Sequence, residues 1–204
     1  MKRPGNDCTL DTLHDYFRAK EGGGTPGRYE HHPERGKLVA DWVTYACPNR
    51  EGKILDIGCN VGRNSEGLRR AGYKRLNGIE INSHAVAEMG RKFPKLAALM
   101  TVHNEPLEIA APKLVTNDYE VAFTMTVLMH IHPDSSFVFH HIARCCLRLI
   151  TIENELADNR ARWKRDYGKV LTALGAEQIT VVRSDLAGNE GNYFVRVFDC
   201  EGVQ

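Results

Sequence analysis

From Lys53 onward the chain alternates short apolar runs with polar segments whose apolar residues recur at helical spacing. KILDIG (53–58) precedes RNSEGLRRAG (63–72), and YKRLNGIEI (73–81) precedes SHAVAEMGRKF (83–93). LAALMTV (96–102) and DYEVAFTM (118–125) read as two further strands. PDSSFVFHHIARCCLR (133–148) then reads as a helix, LRLITIENE (147–155) as a strand and ARWKRDYGKVLTALG (161–175) as a helix. AEQITVVRS (176–184) and NYFVRVFD (192–199) close the series. Repeated strand–helix units with near-continuous apolar strands specify a parallel sheet covered by helices on both faces. The last two strands are separated by too few residues for a crossover helix, so they pair as an antiparallel hairpin. The expected architecture is α/β, a three-layer sandwich around a seven-stranded, mostly parallel sheet with an antiparallel C-terminal hairpin.

Local punctuation supports these boundaries. Gly72 and Gly175 stop helices, Ser83 caps one, Pro94 ends it and Pro133 starts another. Ahead of the alternating region, residues 9–20 predict a short helix with Leu10, Leu13 and Phe17 on one face and Thr9 or Asp11 as cap. EGGGTPGRY cannot continue it. A second helix over 33–46 carries Leu38, Val39, Trp42, Val43 and Ala46 on one side, and Pro48 and Gly52 end it. The chain therefore divides into an N-terminal arm, residues 1–30, and a core domain, residues 31–204.

With 204 residues, one sizeable core is expected. A net charge of +1 offers no field for a polyanion, which argues against nucleic acid as a partner. No apolar run follows the N-terminal cations, and the longest, VAFTMTVLMHI, is too short to span a bilayer. The six cysteines include no CxxC pair and read as reduced thiols. A cytoplasmic protein, monomer or homodimer, without a membrane partner is the expectation.

The loop after the first strand, DIGCNVGRN, narrows the function. In an open α/β sheet ligands sit at the carboxyl ends of strands. A P-loop needs GxxxxGK[ST], which CNVGRN does not supply. A dinucleotide GxGxxG read from Gly58 has Asn60 and Arg63 at its second and third glycines, which weakens that reading. The stretch resembles the (D/E)xGxGxG motif of class I S-adenosylmethionine (SAM) dependent methyltransferases. Asp56, Gly58 and Gly62 match, and Asn60 stands at the middle glycine. Glu80, 24 residues after Asp56 in NGIEIN, can accept both hydroxyls of a ribose. VLMHI (127–131) is similar to the family's segment after its fourth strand, with Met129 at the usual glutamate. The resemblance covers roughly residues 33–200 and implies a Rossmann-like fold, SAM as cofactor and S-adenosylhomocysteine (SAH) as product. It also implies a cofactor site built from Asp56, Gly58, Cys59, Asn60, Gly62, Arg63, Asn64, Glu80 and Ile81. Asn104 or Glu105 is expected at the adenine, and Thr124 and Met125 at the border of the cleft.

A SAM methyl is already activated, so in-line positioning and exclusion of water are the main task. A base is needed only for a poor nucleophile. The strand-end candidates are His130, His132 and Glu153. No metal is expected, because His140 and His141 point about 100° apart on a helix and no acid completes a set. The basic segment NRARWKRDYGKV offers Arg162, Trp163, Arg165 and Tyr167 to an anionic acceptor. The arm is the available lid, with Tyr16, Phe17, Tyr29, His31, His32 and Arg35 facing the ligands, Tyr29 and His31 the substrate. The reading is a SAM-dependent methyltransferase acting on an oxygen or nitrogen of a small, anionic molecule. The alternatives are an RNA or protein methyltransferase, a non-catalytic SAM-binding protein and an NAD-dependent oxidoreductase.

Overall fold

The computed structural model describes residues 2–22, 25, 32–184 and 193–203. Helix α1 (Leu10–Arg18) and helix α2 (Pro33–Ala46) precede the sheet. Then follow β1 (Lys53–Ile57), α3 (Arg63–Arg70), β2 (Arg75–Ile79), α4 (Ser83–Lys92), α5 (Pro94–Ala97), β3 (Thr101–His103) and α6 (Leu107–Ala110). The second half comprises β4 (Tyr119–Met125), α7 (Val138–Arg144), β5 (Cys146–Asn154), α8 (Tyr167–Thr172), β6 (Glu177–Ser184) and β7 (Tyr193–Asp199).

The seven strands form one sheet in the order β3-β2-β1-β4-β5-β7-β6. β1 to β5 run parallel, and β7 pairs antiparallel with both β5 and β6. The final strand thus inserts between its hairpin partner and the parallel strands. The chain winds outward from β1 through β2 to β3, then returns to lay β4 on the other side of β1. That reversal opens a crevice above the carboxyl ends of β1 and β4.

Strand alternation sends Leu55 and Ile57 to one face, against Ile142, Phe139 and Tyr167, and Ile54 to the other. There Val121, Phe123 and Ile150 join Ile54, and Val39, Val43, Leu68 and Met89 cover them. Leu55 and Phe123 are wholly buried, so truncating either to alanine costs about 2–5 kcal/mol. All six cysteines are free thiols, Cys8 half-buried and the others buried. No helix among the described residues is long and apolar enough to cross a membrane.

Three sequence expectations need correction. Residues 96–102 are not one strand. Pro94 starts the short helix α5, whose Leu96 is buried, and β3 holds only three residues. The helix expected over 133–148 begins at Val138 after two 3-10 turns, Leu128–His130 and Pro133–Ser135, and the chain is already in β5 at Cys146. The helix expected over 161–175 spans only Tyr167–Thr172. Upstream of it, Arg160 and Ala161 take positive φ of 46° and 56°, which no α-helix accepts. Helical periodicity in ARWKRDYGKVL is overridden there because the Trp163 N–H donates to Met129 O, 2.9 Å away, tying the segment to the loop after β4.

Candidate active site

Asp56, next to last in β1, points toward α3 and is 2% exposed. The Ser65 hydroxyl donates to its Oδ2 at 2.6 Å. Burial pushes the carboxyl up to about 7, against the opposing Ser65 hydrogen bond. Asp56 therefore braces the loop from below and does not line the cleft.

Left-handed residues shape the loop: Gly58, Asn60 and Gly62 have φ of 76°, 48° and 79°. A Cβ on Gly58 would lie 2.4 Å from Val127 Cγ2. One on Gly62 would lie 2.7 Å from Leu96 Cδ2. The outer glycines are thus required by close packing as well as by backbone angle. Asn60 shares the left-handed angle, which asparagine tolerates best among non-glycine residues. Its Oδ1 accepts the Val61 N–H at 2.9 Å.

The Asn60 N–H donates to Glu80 Oε2 at 2.8 Å, and the Asn82 N–H donates to Oε1 at 2.8 Å. Both oxygens of Glu80 are therefore aimed by backbone donors, with lone pairs left for a ligand. Burial pushes this carboxyl up, and the backbone donors of Asn82, Asn60 and Ile81 pull it back.

A cleft of about 810 Å³, part of it open to solvent, lies over these strand ends. Of the expected residues it brings together Gly58, Asn60, Glu80, Ile81, Glu105, Met125 and His130. An adjoining recess of about 270 Å³ collects Cys59, Arg63 and Asn64 with Gly58, Asn60 and Met125. In that recess Asn64 Nδ2 points at Met125 Sδ, 3.7 Å away, and Arg63 Nη2 at the same sulfur, 4.0 Å away. A thioether is a poor acceptor for such donors. Gly62 packs beneath the loop, Thr124 is buried within β4, and Asn104 spends its Nδ2 on Glu80 O at 2.7 Å. Glu105, rather than Asn104, faces the cleft.

The loop after β4 makes the opposite wall. Thr126 there has φ of 62°, an outlier for a β-branched residue. Glu153, expected as a catalytic group, is wholly buried and outside the cleft. Its carboxylate accepts the N–H groups of Val127, Leu128 and Met129 at 3.0, 3.1 and 3.3 Å. Burial pushes its pKa up to about 7. Arg165, expected to hold substrate, donates instead to Leu128 O (3.3 Å) and Ile131 O (2.7 Å). Tyr167 is core, and Trp163 packs with Leu13 and Ala161. These residues build the wall rather than touch what it encloses.

His130 lines the cleft, but its Nδ1 lies 2.6 Å from Ala161 O. A carbonyl only accepts, so Nδ1 carries the proton, and Nε2 accepts from Arg3 Nη2 at 3.3 Å. Burial, with Arg3 and Arg162 adding repulsion, pushes its pKa down to about 3. The ring is neutral with both nitrogens engaged, the wrong arrangement for a proton acceptor. His132 is outside the cleft; its Nε2 donates to Cys8 O at 3.1 Å, and its Nδ1 accepts the Asp134 N–H at 3.2 Å. Arg162 is half-buried near His130 and is not among the residues lining the cleft. Tyr29 and His31 lie outside the described residues. Among the described residues no group of three or more His, Cys, Asp or Glu is placed to hold a metal ion.

Sequence reasoning missed part of the lining. Leu107, Glu108, Thr126 and Val127 face the cleft, and α1 places Leu13 and His14 across it beside Phe17, which the sequence did offer. The signal for α1 was present: His14 is the polar neighbour of two apolar positions. Nothing in sequence indicated its partner Glu108, 3.1 Å away.

The sheet order and the acid-tipped first two strands define a class I SAM-dependent methyltransferase fold. The family profile of the methyltransferase domain matches residues 29–182, and the chain belongs to that family. No curated protein sequence matches it. Among solved structures it is similar to magnesium protoporphyrin IX methyltransferase from Synechocystis PCC 6803 with bound SAH. The two share 20% identity over 92% of this chain and 96% of that one, with a TM-score of 0.69. It is also similar to a SAM-dependent methyltransferase from Leishmania major, at 15% identity, 92% and 81% coverage and a TM-score of 0.70. The geranyl diphosphate C-methyltransferase of Streptomyces coelicolor A3(2) follows at 11% identity, 91% and 88% coverage and a TM-score of 0.64.

Proposed function

We propose that this protein binds SAM in the cleft and transfers its methyl group to an oxygen or nitrogen of a small, anionic molecule. The observation that carries the reading is Glu80: a buried strand-end carboxylate, both oxygens aimed by backbone donors, on the same cleft wall as Gly58 and Asn60. The donor set suits the cofactor. Glu80 would accept the ribose hydroxyls, and Ile81 and Leu107 would flank the adenine. Arg63, which donates to Asn64 Oδ1 at 3.2 Å, and Asn64, whose Nδ2 points at the Met125 sulfur, would hold the amino-acid carboxylate.

When bound, SAM supplies a methyl group activated by its sulfonium. The chain's own residues supply position and dryness. Phe17 and Leu13 of the arm cover the cleft, and the Asn82 side chain pins α1 through Phe17 O at 2.9 Å. We read the arm as a lid on this basis. His130 holds its wall position as a neutral ring, so the transfer relies on orientation, with no general base assigned. Calorimetry with SAM, SAH and NAD tests the reading. Binding of SAM and SAH without NAD is expected; tight NAD binding with no SAM binding would overturn it. The neighbours' acceptors, magnesium protoporphyrin IX and geranyl diphosphate, are small molecules, which supports that part of the reading.

A further inference from the structure

Beside the cleft wall stands a cation, Arg162, that forms no ion pair among the described residues. Arg160 and Ala161 are left-handed, a strained pair of the kind that gathers at ligand sites. Three hydrogen bonds hold the strained turn. Ala161 O accepts from His130 Nδ1, Arg162 O accepts from Asn6 Nδ2 at 2.9 Å, and the Trp163 N–H reaches Met129 O. The result leaves Arg162 half-buried next to the turn. Its Nε is buried with no hydrogen-bond partner, and its guanidinium makes no ion pair among the described residues. Asp158, on the same segment, bonds Asn6 instead, at 2.8 Å. Arg165, three residues on, finds two carbonyls.

Partly burying a guanidinium with no acceptor is costly unless something else supplies one. Its neighbours leave that role open to an anion. Arg3 adds a second guanidinium against the same imidazole, and both cations reinforce the burial that keeps His130 neutral. Planar guanidinium forks match carboxylate or phosphate oxygens bidentately.

We propose that Arg162, flanked by Arg3, binds the anionic group of the methyl acceptor, a carboxylate or phosphate, against the His130 wall of the cleft. This rests on the methyl-transfer reading and specifies which end of the acceptor is held.

The chain has two tryptophans, so a Trp42→Phe background leaves Trp163, next to Arg162, as sole fluorescent reporter. SAH-saturated protein is titrated with inorganic phosphate and, separately, with benzoate, at ionic strength held constant with chloride. A saturable change in emission with at least one anion is expected, weakened about tenfold or more by Arg162→Gln, as loss of one charged hydrogen bond predicts. The stronger anion tells carboxylate from phosphate. No saturable response, or one that Arg162→Gln leaves unchanged, overturns the proposal. Arg162→Met gives a second readout: its melting temperature should equal or exceed that of the parent, because an unpartnered charge is removed. A fall of more than about 4 °C would mark the guanidinium as structural and sink the idea. Failure of the parent protein to bind SAH would instead count against the methyl-transfer reading, and the anion titration would then decide Arg162 by itself.

Discussion

Asn60 already carries a side chain at its left-handed angle, whereas a Cβ on Gly58 would meet Val127. The two positions should therefore respond differently. Asn60→Gly should leave SAH affinity within a few fold. Gly58→Ala should lower stability by about 1–3 kcal/mol, from strain and the Val127 clash, and weaken SAH binding as the loop shifts. Thermal melts and calorimetry read both; a neutral Gly58→Ala would refute the packing argument. Glu80→Ala removes the proposed acceptor for the ribose and strands the N–H groups of Asn60 and Asn82. SAH affinity should fall about 10–100-fold, as expected for a charged hydrogen bond of about 1.5–3 kcal/mol. Unchanged affinity would remove Glu80 from the site.

At the scale of elements, the loop after β4 hangs on Glu153. The folded pKa of this acid, about 7, lies above its ordinary 4.5. The folded state therefore holds the proton more tightly than the unfolded state. The stability this contributes is fully present below about pH 4.5 and is lost as pH rises through 7. Asp56, also raised to about 7, acts in the same sense. Glu153→Gln should flatten part of that decline, by at most about 1.4 kcal/mol per pH unit, in denaturant melts across pH 4–8. An unaltered slope would show that Glu153 does not titrate in this window. The helix α8 depends on its cap: Asp166 Oδ1 accepts the Lys169 N–H at 3.2 Å. Asp166 also meets Arg196, so Asp166→Ala should cost about 1 kcal/mol or somewhat more in denaturant unfolding.

For the whole molecule, α1 joins the arm to both walls of the cleft, through His14 to Glu108 and through Phe17 O to Asn82. Phe17→Ala should therefore accelerate SAH release in stopped-flow measurements, with little change in melting temperature, since Phe17 is only partly buried. An unchanged release rate would argue against the lid. The alternation of strand and helix, the antiparallel end and the acid–glycine loop were all legible in sequence. They depend on periodicity and on residues such as Gly58 whose backbone demands are local. The shortness of β3, the strained turn at Arg160 and Ala161, and the roles of Glu153, Arg165 and Tyr167 were not legible. Each depends on a partner remote in sequence: Glu153 on N–H groups 24 to 26 residues away, Arg165 on carbonyls 34 and 37 residues away. Sequence alone determined the fold class and the acid–glycine loop after β1, because hydrophobic period and backbone angle are set by neighbouring residues. Only the tertiary structure decided which polar side chains face the cleft and which are spent holding its walls, because each buried donor and acceptor must be satisfied by whatever the fold brings beside it.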